Sequence, residues 1–198
     1  MVFLGNEEQR LVKRLKDGDK AAAREFYSLY ADYLAGVCSR YIADKDNQKD
    51  VLQDAFLHIL THIDDFQYRG AGSLQAWVTK VVVNDSLNYL RTKDRHELMQ
   101  RPQIGSSARM LDYDVADESE EDDPPLADIP PDVIQEMLSR LPTGYRTVLN
   151  LYVFEDKNHQ EIANLLGIGK DSSASQLHRA RNLLAKMMKE YNDKTPRQ

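Results

Sequence analysis

Apolar residues recur at steps of three and four along much of this chain. Phe26, Leu29, Tyr30, Tyr33, Leu34, Val37 and Tyr41 form one series, and Val51, Leu52, Ala55, Phe56, Ile59, Leu60 and Ile63 form a second. That spacing follows the turn of an α-helix with one face directed inward. Gly18 can end a first short helix, and Asp19 can cap the next. Ser73, after Gly70-Ala71-Gly72, is another start signal and predicts a helix from Leu74 to about Thr92. Val81-Val82-Val83 would suit a strand locally, but three β-branched residues do not outweigh the helical period on either side. Further on, the pattern predicts helical segments at 132–140, 144–154, 159–166 and 171–190, separated by Pro142, Asn158 and Gly167. No strand pairing or repeat is evident.

The pattern lapses in the middle of the chain. Pro102 and Gly105-Ser106-Ser107 lead into an acidic run, which Pro124-Pro125 and Pro130-Pro131 close. Few apolar residues, one sign of charge and several prolines cannot repay the entropy of ordering, so the stretch reads as a tether. The predicted architecture is all-α: two small helical modules, 1–97 and 131–198, joined by a flexible acidic linker at 98–130.

Charge sharpens this picture. The formal net charge is −6, yet the segment from Asp112 to Asp128 holds nine acidic residues and no Lys or Arg, which leaves the remainder at +3. An acidic total therefore does not argue against nucleic-acid binding. No apolar run approaches the ~20 residues that a membrane span needs, so no membrane insertion is expected. The N-terminus has no charged-then-apolar signal layout. A single cysteine, Cys38, rules out an intramolecular disulfide and zinc-finger spacing. A cytoplasmic protein is the expectation.

The stretch Leu165–Arg181, "LLGIGKDSSASQLHRAR", invites two readings. A phosphate loop needs a glycine five residues before its Gly-Lys pair and a hydroxyl after it. Asn164 and Asp171 occupy those places, and the preceding "HQEIANLL" is helical, so that reading fails. The helix-turn-helix reading fares better. Ile162, Ala163 and Leu166 give a first helix its apolar face, Gly167 permits a left-handed turn, and Ile168 plugs the angle. Ser173, Leu177, Ala180, Leu184 and Met187 make one stripe of the second helix. Lys170, Ser172, Ser173, Ser175, Gln176, Arg179 and Arg181 are candidate DNA contacts, since small hydroxyls and an amide can enter the major groove while cations reach phosphates. An ordinary helical hairpin with a polar outer face shares this spacing.

A second candidate face lies in the first module. Lys80, Asn84, Asn88 and Arg91 share one stripe of the helix that carries Trp77, and "FQYRGAGS" before it holds Tyr68 and Arg69 on a glycine-rich loop. Amides and aromatics beside cations suit unpaired bases, which offer stacking faces and open edges. A solvated helix face beside a flexible loop has the same composition. His58 and His62 are one turn apart, but Ile59 stands where a zincin has glutamate and no third ligand is near, so they read as surface or partly buried histidines. No nucleophile–base constellation can be assembled. The chain reads as a non-enzyme without metal or cofactor.

With these residues in view, the chain resembles the bacterial extracytoplasmic-function RNA polymerase sigma factors of the sigma-70 family across roughly residues 10 to 190. The matching blocks, in order, are "GDKAAAREFYSLYADYL", "DVLQDAFLHIL", "YRGAGSLQAWVTKVVVNDSLNYLR", "LPTGYRTVLNLYVFE" and "HQEIANLLGIGKDSSASQLHRAR". The resemblance implies a region 2 helical bundle, a linker and a region 4 helix-turn-helix. It implies that Asp50, Gln53 and Asp54, with Phe56 packing beneath, dock on the clamp helices of the largest polymerase subunit. Region 4 would meet the flap of the second-largest subunit. Tyr68 and Arg69 match the loop that holds a flipped-out base of the −10 promoter element, with Trp77, Lys80, Asn84, Asn88 and Arg91 alongside; the second helix of the helix-turn-helix matches the −35 reader. The linker matches the segment that runs through the active-centre and RNA-exit channels. Promoter DNA, core polymerase and an anti-sigma factor are the partner classes this implies.

Two positions depart from the family's habit. Asp171 and Ala174 stand where relatives often carry glycine and lysine. Aspartate suits the start of a helix but disfavours a nearby phosphate, and Ala174 removes a phosphate contact. Weaker or altered −35 contact is the expectation, with Asp171 able to accept from a cytosine amino group. A rival reading, a dimeric helix-turn-helix repressor, would need a dimerisation helix or ligand pocket and leaves the stripe from Trp77 to Arg91 unexplained; a helical adaptor that binds only proteins is a third.

Overall fold

The computed structural model describes residues 5–100 and 129–194. The chain divides into two compact units between Pro102 and Gln103. Most of the acidic linker expected at 98–130 lies outside the described residues. Among the described residues there are helices and turns and no strand.

In the first unit, α1 (Gly5–Lys16), α2 (Lys20–Tyr41), α3 (Lys45–Thr61), a 3₁₀ turn (Ile63–Asp65) and α4 (Ser73–Gln100) follow in order. Gly18, at φ +73°, turns the chain out of α1, and the Asp19 side chain accepts from the Ala21 N–H at 2.8 Å to start α2. Asp44 caps α3 in the same way through the Asn47 N–H at 2.9 Å. Both caps sit on the chain's surface, where the backbone would otherwise leave its first donors to water. Arg14 joins the first of them by bonding both Asp19 and Glu25. The Ala21 N–H chiefly, with the guanidinium, holds the Asp19 carboxyl below the usual carboxylate range.

The core of this unit is the inward stripe of α2 (Phe26, Tyr30, Leu34, Val37, Cys38, Tyr41) against Val51, Ala55 and Ile59 of α3 and Leu74, Val78, Val82 and Leu87 of α4. Each buried aliphatic or aromatic side chain contributes roughly 1.5–3 kcal/mol through burial. Val81, Val82 and Val83 are all buried because α4 packs against both α2 and α3, so a wide arc of it faces protein. Tertiary packing thus overrides the strand preference of the three valines. The helix also runs past the Thr92 end that its apolar period predicts: residues 93–100 contain no helix breaker, and Pro102 disfavours helix at the residue before it. No described helix is long and apolar enough to cross a membrane.

The second unit comprises α5 (Pro131–Arg140), α6 (Thr143–Val153), α7 (His159–Leu166) and α8 (Lys170–Lys194), at bounds close to the four predicted segments. Val148, Leu151, Ile162, Leu177 and Ala180 form one core; Ile129, Met137 and Met188, with Val133, Ile134, Leu184, Met187 and Tyr191, form another between α5 and α8. Arg146 of α6 is 4% exposed and donates through Nη1 to the Ser139 carbonyl at 2.8 Å, near the C-terminus of α5. A cation suits the negative end of a helix. Burial nonetheless pulls its pKa below the ordinary guanidinium value. Gly144 allows close approach of α8, since a Cβ there would meet Gln176 Oε1 at 2.9 Å.

Candidate nucleic-acid interface

The loop between the 3₁₀ turn and α4 is built from its ends. Phe66 is 4% exposed and its ring lies 5.2 Å from that of Trp77, which roots the loop on the first turns of α4. Gly70 and Gly72 take φ of +125° and +84°, a region that side chains disfavour. Ser73 Oγ donates to the Gly70 carbonyl at 2.7 Å and accepts from the Arg69 N–H at 3.2 Å. The segment is a folded turn that presents Arg69 exposed and Tyr68 half-buried.

Two side chains of α1, which the apolar pattern did not single out, complete it. Glu8 is 1% exposed, and its carboxylate accepts from the N–H groups of Gly72 and Leu74, each at 2.6 Å. Lys16 donates to the carbonyls of Asp64 at 3.0 Å and Phe66 at 2.7 Å. Burial and, next, the negative charge of Glu8 push the Tyr30 phenol up to about 12.

Along α4 beyond this loop, Lys80, Asn84, Asn88 and Arg91 are exposed on one stripe, and Arg91 donates to Asn88 Oδ1 at 3.2 Å. Trp77 is half-buried, and its ring packs on that of Phe66. On α3, Asp50, Gln53 and Asp54 are exposed, while Phe56 tucks between Phe26 and Tyr27 at ring distances of 5.8 and 4.9 Å. Leu57 and Leu60 also face outward, at 58% and 36% exposure, although Leu60 belongs to the apolar series of its helix. His58 lies 3.2 Å from Asp85 and edge-on to His62. Among the described residues no group of three His, Cys, Asp or Glu is placed to hold a metal ion.

In the second unit the Asn158 side chain caps α7 while Glu161 reaches back to the Asn158 N–H, a reciprocal capping box. Gly167 at φ +68° ends α7, and the Gly169 carbonyl accepts the Ser173 N–H at the entrance to α8. Lys170, Asp171, Ser172, Ala174, Ser175, His178 and Arg181 are exposed on α8. Ser173, expected among the DNA contacts, does not share this exposure. It is fully buried, on the stripe of Leu177 and Ala180, and its hydroxyl lies 3.1 Å from His159 Nδ1. Its place in the helical period decides this, and the hydroxyl finds its partner inside. Gln176 is half-buried over Gly144, and half-buried Arg179 donates to the Tyr145 hydroxyl at 3.3 Å. Arg181 stands 5.7 Å over the ring of Tyr152, which also stacks on His159.

Residues 26–96 match the family model "Sigma-70 region 2", and residues 132–184 match "Sigma-70, region 4". The chain is 25% identical over 183 residues to the ECF RNA polymerase sigma factor SigW of Bacillus subtilis, covering 92% of this chain and 97% of that one. It is 26% identical over 181 residues to the ECF RNA polymerase sigma-E factor of Haemophilus influenzae, covering 89% and 93%. Among solved structures, CnrH in complex with the cytosolic domain of CnrY aligns with TM-score 0.45 and 19% identity, over 91% of this chain and 96% of that chain.

Proposed function

This chain belongs to the sigma-70 family, in its extracytoplasmic-function group, and from that premise we propose how its faces divide the work of a promoter-specificity subunit. As a sigma factor it binds core RNA polymerase, recognises the −10 and −35 elements and promotes melting of promoter DNA. In our reading it is a non-catalytic subunit and works in the cytoplasm, with the polymerase. Exposed Asp50, Gln53 and Asp54 of α3 meet the clamp helices of the polymerase.

The observation that carries the residue-level reading is the exposed stripe Lys80, Asn84, Asn88 and Arg91 beside a loop tied at both ends. Extruding a base from the stack costs a few kcal/mol. Stacking on an aromatic returns about 1–3 kcal/mol per base. The Tyr68–Arg69 loop and the amides of Asn84 and Asn88 are placed to offset that cost for an unpaired −10 base. The start of α8 takes the −35 element, with Lys170, Ser172, Ser175 and Arg181 open and Arg179 and Gln176 at the margin.

Run-off transcription with this chain as the sole sigma tests the reading. Core polymerase should initiate only with it, and Asn84→Ala with Asn88→Ala should lower duplex opening while core binding stays unchanged. Failure of the chain to bind core polymerase would reject the function. Unchanged opening in the double variant would reject the assignment of the stripe.

A further inference from the structure

We propose that Glu8 is a positioning residue for −10 recognition: its carboxylate clamps the entrance of α4 and so sets the conformation of the loop that carries Tyr68 and Arg69. This rests on the reading of that loop as a base holder. The local cap of α4 is incomplete. The residue before α4 is Gly72, which has no side chain, and the hydroxyl of Ser73 is turned back to the Gly70 carbonyl. Neither can accept from the first N–H groups of α4, which no helical partner satisfies. Glu8 supplies acceptors on both sides of the helix start, one oxygen to the Gly72 N–H just before it and the other to the Leu74 N–H within it, across 64 and 66 residues of sequence. One buried carboxylate thus does what a capping box divides between two local side chains, and its charge also suits the positive end of the helix.

Lys16, two turns further along α1, holds the other end of the same segment through the Asp64 and Phe66 carbonyls. Tyr68 and Arg69 lie between the two ties. With Gly70 and Gly72 both at positive φ, this stretch has much conformational freedom to lose. Holding it in one shape before DNA arrives reduces the ordering cost of capturing a base. The region 2 match begins at residue 26, so α1 contributes from outside it.

The test uses the full chain assembled with core polymerase. The measured quantity is the ratio of affinities for two fluorescent single-stranded oligonucleotides, the −10 non-template sequence and the same strand with its captured base replaced. A loss of folded protein lowers both affinities and leaves their ratio alone. In Glu8→Gln an amide donor must face one of the two N–H groups, and the ratio should fall by about tenfold, the scale of one lost hydrogen bond to a charged group. Core binding and −35 duplex binding should hold. If Glu8→Gln fails to fold, Lys16→Met at the exposed tie decides: a lowered ratio with intact core binding supports the proposal. An unchanged ratio in the folded variants, with a discriminating wild type, overturns the role of Glu8 alone. A wild type that does not discriminate overturns the base-holding reading and this proposal with it.

Discussion

Glu8 and Ser173 show how far a residue's chemistry can mislead about its place. A glutamate among Gln9, Arg10 and Lys13 reads as part of a solvated face, yet Glu8 is 1% exposed because two backbone donors far along the chain come to it. No local signal announces such a contact. Ser173 was open to two readings, a stripe residue by period and a DNA contact by hydroxyl, and the period was the better guide. Tyr30 carries a perturbation that can be tested directly. Its phenol is raised from 10 to about 12, by burial first and then by Glu8. A raised folded pKa means that stability is complete below the unfolded value and declines as pH rises through the folded one. Between about pH 10 and 12 the unfolded phenol ionises first and favours unfolding. Two units correspond to roughly 2–3 kcal/mol. Urea unfolding of Tyr30→Phe against wild type should show a shallower loss of stability across that window, whatever the offset at neutral pH. Parallel curves would contradict the raised pKa.

At the scale of elements, starts and stops were legible because caps are local. Asp19, Ser73, Asn158 and Gly167 stand at or beside the boundaries they signal. The later end of α4 and the helical valines were decided by packing and by the absence of a breaker, which an apolar period alone does not record. The outward Leu57 and Leu60 likewise follow from which arc of α3 meets α2 and α4. In α8 the exposed positions 171 and 174 place an acid and a methyl where the first turns would meet DNA. Replacing Ala174 by Lys should tighten promoter binding and steepen the log affinity–log salt slope by about 0.9, the effect of one added phosphate contact. Asp171→Gly should tighten it with little change of slope if its present effect is repulsion from a nearby phosphate. A titration series in increasing salt measures both, and no gain in the lysine variant would remove the phosphate argument.

On the scale of the whole molecule the informative quantity is the separation of charge. Nine acidic residues between Asp112 and Asp128 stand against a remainder of +3. An acidic run in the sequence between two DNA-binding units repels the same phosphates that those units attract. Replacing the nine acids with serine and asparagine should strengthen binding of the free chain to non-promoter duplex and make it more salt-sensitive. If the acidic run takes the channel path that the family resemblance implies for its linker, the same change should alter promoter escape, because the run would no longer match RNA in charge. Electrophoretic mobility shifts with random duplex, and the ratio of abortive to full-length transcripts, measure the two effects. Unchanged binding at low salt would mean that the acidic run does not screen the DNA-binding faces.

The all-helical class, most helix boundaries, the acidic interruption and the polar stripe on α4 were legible along the chain before any fold was known. Each is written in local spacing, and the backbone reads spacing over a few residues. Only the packing of whole helices brings Glu8 and Lys16 to the two ends of the loop before α4, turns Ser173 inward, and lets Arg179 reach Tyr145. Those outcomes depend on partners distant in sequence, whose meeting is set by how whole helices pack.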